Sequence, residues 1–239
     1  MNARPNASTT VVDLGLLAYT EAWDYQTRLF NDILAIKKAN RDLPAADQLH
    51  TPNYILLCEH PPVITLGKSG DRNNLLATPE ELASMGATYV PTNRGGDITF
   101  HGPGQLVVYP VVDLENFFTD ISRYMRMLEE AVIQTLQLYG IAGERLAGLT
   151  GVWLNGGTPR KICAMGVKSS RWVTMHGLAL NVNVDLAFFQ LIVPCGINDK
   201  AVTSMKQETG LTYPMQEIKQ RLTERLLEIF EMKRIGEAS

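Results

Sequence analysis

Residues 94–109, RGGDITFHGPGQLVVY, hold four glycines and a proline and then run straight into an apolar segment at residues 106–112. So many breakers leave no room for a long regular element. The stretch predicts a tight connection, because glycine takes backbone shapes closed to other residues and lets N–H groups come close to a ligand. The apolar segment behind it predicts a buried strand that holds the connection still. On composition alone an ordinary glycine-rich hairpin fits better, since a lone Gly-rich motif is weak evidence of a ligand.

Around this stretch, strand and helix patterns mix without strict alternation. Residues 11–17, 53–58, 63–66, 88–91 and 174–184 predict strands, and residues 151–155 and 161–167 predict a hairpin turned at residues 156–159. Apolar stripes predict helices over residues 20–40, 122–139 and 213–233, and Thr78 caps a short one over residues 79–85. Residues 186–192 fit either a strand or a short helix. This pattern predicts an α+β or mixed α/β single domain: a disordered tail over residues 1–10, then one domain over residues 11–239.

Composition removes several function classes. With 239 residues, 45% hydrophobic and 20% charged, the chain has the material for an ordinary globular core. A net charge of −3 gives no global basic field, so neither nucleic acid nor an anionic membrane is expected as a partner. No apolar run approaches the roughly 20 residues that span a bilayer. Residues 1–10 lack the apolar core of a secretory signal. Three cysteines suit a reducing cytoplasm without a disulfide framework. Gly67-Lys68-Ser69 is not a phosphate-binding loop, because Pro62 stands where that motif needs glycine.

Four segments together carry a resemblance. Arg94, Gly95, Gly96, Thr99, Phe100, His101, Gly104, Gln105 and Tyr109 match every fixed position of the signature of the lipoyl(octanoyl) transferases. Lys161-Ile-Cys-Ala-Met-Gly166 resembles that family's catalytic-lysine segment, His176-Gly-Leu-Ala-Leu-Asn-Val182 its substrate-pocket segment, and Pro194-Cys195-Gly196 the site of its acyl-carrying cysteine. The blocks stand in the family's order, with the family's spacing between Lys161 and Cys195. The resemblance implies the fold of the biotin and lipoate protein ligase catalytic domains, a mixed sheet flanked by helices. It implies Cys195 and Lys161 as catalytic residues. It implies an acyl pocket of Arg94, Gly95, Gly96, Asp97, Ile98, Thr99, Phe100, His101, Ala164, Met165, Gly166, Gly177, Leu178 and Ala179. No cofactor is implied. The acyl donor rides on the phosphopantetheine of octanoyl-acyl carrier protein, and the acceptors are apo lipoyl domains of 2-oxoacid dehydrogenase complexes and the glycine cleavage H protein.

Without the family, these residues read more plainly. A lone cysteine in an apolar segment is usually a small buried hydrophobe, and Cys58 and Cys163 are expected in core strands. A lysine at a strand start is usually a solvated edge residue. If Lys161 lies beside Cys195, however, its ammonium favours the thiolate, and a thiol near pKa 8.5 is otherwise only about 3% ionised at pH 7. His60, His101 and His176 are not spaced as a metal site, and no metal is expected. Small residues at Gly177 and Ala179 are expected to leave room for an acyl chain. Three basic residues, Arg160, Lys168 and Arg171, are candidates for meeting an acidic carrier protein. Two alternative readings remain: an ATP-dependent lipoate or biotin ligase on the same fold, and a non-catalytic module that binds acyl carrier protein. The glycine loops of those ligases are absent here, and His101 is followed by Gly102 rather than Asp.

Overall fold

The computed structural model describes residues 6–193 and 201–237. Pro194, Cys195 and Gly196 lie outside the described residues.

The continuous apolar run after the glycine-rich stretch forms strand β6 (Gln105–Val111), buried at every position. Its side chains alternate as a pleated strand requires. Leu106 and Val108 face one core cluster, and Val107, Tyr109 and Val111 face another. A strand covered on both faces has no need of polar positions, which explains the unbroken run.

Three more strands lie toward one edge from β6. These are β2 (Asn53–Glu59), β1 (Ser8–Leu16) and β11 (Lys233–Glu237). Toward the other edge lie β9 (Val173–Asn181), β8 (Arg160–Ser170) and β10 (Ala201–Val202), with β7 (Val152–Leu154) also paired to β8. The sheet is mixed: β1 runs parallel to β2 and β11, whereas β2, β6, β9 and β8 are successively antiparallel. Helix α1 (Tyr19–Asn40) covers one face through Ala22, Leu29, Phe30 and Ile33. Helices α3 (Ile121–Gln137) and α4 (Met215–Ile229) cover the other through Tyr124, Leu128, Leu136, Ile218 and Leu222.

A second sheet of β4 (Thr88–Pro91), β3 (Val63–Leu66) and β5 (Ile98–His101) packs a smaller core with the short helix α2 (Pro79–Ser84). Thr78 caps α2 as expected: its hydroxyl accepts from Glu81 N at 3.2 Å, and the Glu81 carboxylate accepts from Thr78 N at 2.8 Å. No helix among the described residues is long and apolar enough to cross a membrane.

Several expectations change. Residues 94–109 are neither one connection nor a hairpin. β5 interrupts them and pairs with β3 in the small sheet, while β6 belongs to the large one, so residues 102–104 carry the chain between sheets. β1 starts at Ser8, three residues before the expected strand. Residues 186–192 resolve into a 3-10 turn over Leu186–Leu191. The last helix ends at Ile229, and the charged residues after it form edge strand β11.

Glu129 ties the large core to a loop. It is fully buried and accepts from Arg126 Nη1 (2.6 Å), Arg145 Nε (3.1 Å) and Gly151 N (3.0 Å). Replacing it by alanine strands the Gly151 N–H and the two arginine contacts. Glu129→Ala is therefore expected to lower unfolding free energy by about 3 kcal/mol in urea titration. A loss below about 1 kcal/mol would show that the arginines, which are partly exposed, carry none of the loop's order.

Candidate active site

The signature segment is laid backbone to backbone on the large sheet. Gly95 N donates to Val167 O on β8 at 2.9 Å, and a Cβ on Gly166 would fall 2.5 Å from Gly95 O. Only glycine at Gly166 lets the loop come that close. Gly177 serves a similar purpose, since a Cβ there would collide with the Val108 carbonyl of β6. Its lack of a side chain is thus taken up by the neighbouring strand and does not widen the cavity, contrary to the expectation from sequence.

Between this loop, the faces of β8 and β9, and the loop over residues 148–150 lies a cavity of about 600 Å³. That is within the ordinary range for small-molecule pockets. Arg94, Gly95, Gly96, Asp97, Ile98, Thr99 and His101 line it from the signature segment, Lys161, Ala164, Met165 and Gly166 from β8, and Gly177, Leu178 and Ala179 from β9. Phe100 does not line it. The strand's alternation turns the ring away into the small core, where it stacks on Phe188 with centroids 4.6 Å apart. Further walls come from Tyr19, Val107, Tyr109, Met125, Leu149, Trp153, His176 and Asn181. Tyr109 was legible within the signature. Tyr19, Met125 and Trp153 come from distant elements and had no local signal.

Lys161 stands at the second position of β8, its Nζ 4.7 Å from the Trp153 ring centroid. The Lys161 carbonyl accepts from Thr203 N at 3.0 Å, which ties β8 to the chain emerging from β10. Cys58 and Cys163 are both buried, and burial pushes both thiols up. They hold the core positions expected of them.

A buried hydrogen-bond chain crosses the site. Arg94 Nη2 donates to Thr65 Oγ1 at 2.9 Å, and Thr65 Oγ1 lies 3.3 Å from His101 Nε2. His101 Nδ1 donates to Gln105 Oε1 at 2.8 Å, since an amide oxygen only accepts. Gln105 Nε2 donates to Asn181 Oδ1 (2.8 Å), and Asn181 Nδ2 donates to Thr203 O (2.9 Å). Burial, followed by the His60 and Arg94 charges, holds His101 well below the usual imidazole range. Burial also lowers His60, whose Nδ1 donates to Leu17 O (2.7 Å) while Nε2 accepts from the Tyr109 hydroxyl (2.8 Å). His176 is pushed down to about 3 by burial and then by the Arg94 and Lys168 charges. The three rings sit among Tyr19, Trp23 and Tyr109 as neutral aromatic packing. No cluster of metal-binding side chains occurs among the described residues.

The three basic residues flanking the site differ in circumstance. Arg160 is ion-paired with Glu208 (2.8 Å), Lys168 lies over the Phe30 ring (5.2 Å), and Arg171 sits in the β8–β9 turn with φ of 50°.

Residues 18–227 match the lipoyl protein ligase A/B catalytic domain family. The chain is 55% identical over 235 residues to an octanoyltransferase of Cytophaga hutchinsonii, covering 97% of this chain and 96% of that one. It is 50% identical to an octanoyltransferase of Bacteroides thetaiotaomicron, over 90% of this chain and 92% of that one. Its fold superposes on the bipartite lipoate protein ligase of Thermoplasma acidophilum with a TM-score of 0.62 at 17% identity, over 99% of this chain and 88% of that one. The biotin protein ligase of Aquifex aeolicus gives a TM-score of 0.51 at 14% identity, over 93% and 70%. At such identities the two ligases speak for the fold alone. Sequence, fold and the glycine-floored cavity agree, and the chain belongs to the lipoyl protein ligase A/B catalytic domain family, among its octanoyltransferases.

Proposed function

We propose that the protein moves an octanoyl group from the phosphopantetheine thioester of acyl carrier protein to a lysine of apo lipoyl domains, those of the 2-oxoacid dehydrogenase complexes and of the glycine cleavage H protein. The observation that carries this reading is the 600 Å³ cavity, floored by apolar and glycine positions of β8 and β9, with Lys161 among its walls. The octanoyltransferase relatives support the same acyl group. Burying about seven chain carbons is worth roughly 5 kcal/mol, enough to hold the donor by its tail.

Transfer runs through Cys195. Its thiolate attacks the thioester carbonyl, the bond from that carbon to the pantetheine sulfur breaks, and the leaving thiolate takes a proton from the Lys161 ammonium. A neutral lysine of the lipoyl domain then attacks the acyl-enzyme. Lys161, now an amine, accepts the proton from the attacking nitrogen, the bond to Sγ breaks, and the Cys195 thiolate returns. Backbone N–H groups of the glycine-rich segments are the donors available to stabilise the oxyanion. Thioester to thioester is nearly even in free energy and thioester to amide runs downhill, so the reaction needs no ATP.

Intact mass after incubation with octanoyl-acyl carrier protein tests this. An adduct of about +126 Da in the parent and none in Cys195→Ala is expected. Activity only with free octanoate and ATP would replace this reading with the ligase reading. Tight carrier-protein binding without adduct or turnover would leave a binding module.

A further inference from the structure

Trp153 stands in the cavity wall with a donor that nothing in the protein uses. Strand β7 alternates: Val152 and Leu154 join the core beneath α3, so the Trp153 side chain faces the opposite way. It lines the cavity and is 2% exposed, yet its indole Nε1 has no hydrogen-bond partner among the described residues. Buried polar atoms are almost always paired, and an indole nitrogen can only donate. A register irregularity between Val152 and Trp153 sets Trp153 opposite Lys161 on β8, with the lysine Nζ 4.7 Å from the ring centroid. An ammonium carries donors and no acceptor, so Lys161 cannot satisfy the indole. The backbone here is fixed on its other side, where Glu144 N donates to Trp153 O (2.8 Å) and Trp153 N to Glu144 O (2.9 Å).

We propose that the missing acceptor is the acyl carbonyl oxygen of the octanoyl donor, and that the Trp153 indole N–H is a side-chain donor to that oxygen. This deepens the function proposed above and rests on its placement of the reacting carbonyl beside Lys161. One ring then serves two groups, its π face the ammonium and its edge the oxygen. As the thiolate adds, the oxygen gains negative charge and the hydrogen bond strengthens, while the indole keeps its proton throughout. The gain therefore falls on the transition state more than on binding. Beyond Lys161 along β8, Ala164 and Gly166 also line the cavity, so a chain whose carbonyl meets Trp153 can run on over small residues.

The test reads the indole directly. The ligand is the amide analogue of octanoyl-pantetheine, in which NH replaces the thioester sulfur, so the carbonyl stays and transfer is blocked. The chain has three tryptophans, and Trp153→Phe identifies the Trp153 signal among the indoles of a proton–nitrogen correlation spectrum. At saturation that signal is expected to move downfield and its exchange with solvent to slow. S-octyl-pantetheine, with the same tail and no acyl carbonyl, should bind without the downfield move. In turnover, Trp153→Phe is expected to lose about a hundredfold in kcat, the loss typical of one oxyanion donor, with KM for the carrier-protein donor changed less than about threefold. A residue that only packs would lower the melting temperature of Trp153→Phe and leave the parent's indole signal in place. If Trp153→Phe does not fold, Trp23→Phe and Trp172→Phe assign the remaining signal by elimination, and the spectrum decides. A Trp153 signal unmoved by the bound amide analogue, an equal move with the thioether, or a parental kcat in Trp153→Phe would overturn the proposal alone. An amide analogue that does not bind at all would overturn it together with the function proposed above.

Discussion

Lys161→Met is expected to slow transfer about a thousandfold while leaving the fold intact. Methionine keeps a long apolar stem against the Trp153 ring, where the lysine Nζ sits 4.7 Å from the centroid, so the change removes charge and proton and little volume. On the mechanism proposed above, two losses then compound. Without the ammonium a cysteine near pKa 8.5 falls back toward about 3% thiolate at pH 7, and the first step slows with it. Without the amine the second step has no acceptor for the proton of the attacking nitrogen, a loss of typically 10²–10⁴-fold. Single-turnover measurements separate the two. The acyl-enzyme should form slowly and then persist when apo lipoyl domain is added, and the pH midpoint of Cys195 alkylation should rise. Rates within about threefold of the parent in both steps would remove Lys161 from the proton chemistry.

Below pH 6.5 the protein is expected to lose stability steeply. Burial lowers His60, His101 and His176, the last to about 3. In the unfolded chain each returns to about 6.5. With the folded pKa below the unfolded one, the unfolded state binds more protons as pH falls. The contribution is complete above pH 6.5 and drains away as pH falls toward the folded values. His176, held at about 3, contributes up to about 1.4 kcal/mol per pH unit below 6.5, and burial of His60 and His101 acts in the same direction. For a chain of this length His176 alone moves the melting temperature by roughly 3 °C between pH 6.5 and 5.5, and the other two histidines add to the fall. Scanning calorimetry at half-unit steps measures it. A melting temperature flat from pH 7 to 5 would mean that the rings open to water or gain anionic partners on protonation.

How much of this was legible depended on whether each signal was local. The β6 run, the α3 stripe and the Thr78 cap are written in adjacent residues, and each formed where the pattern put it. β5 was hidden because four residues between two glycine pairs look like more of the same loop; only its pairing with β3, over thirty residues upstream, makes it a strand. β11 was hidden because an edge strand needs no apolar face, and its charged residues read as the end of a helix. In the site, the motif segments were found because they carry glycines and a lysine whose types are constrained. Tyr19, Met125 and Trp153 reach the cavity only through packing of distant elements, which no local spacing encodes. Phe100 shows the converse error: a residue within a functional motif whose own side chain faces a core.

The chain of hydrogen bonds from Arg94 to Thr203 has a direction. Arg94 can only give protons, and from it each group donates onward: Thr65 to His101, His101 to Gln105, Gln105 to Asn181, Asn181 to the Thr203 carbonyl. As in ice, no member can turn round alone, because its neighbours would then meet donor to donor or lone pair to lone pair. The guanidinium at one end therefore dictates the tautomer of a ring and the facing of two amides beyond it. His101 has both nitrogens spoken for, so the histidine at the centre of the signature has no lone pair left to take a substrate proton. It is a fixed link in an ordered lattice of dipoles.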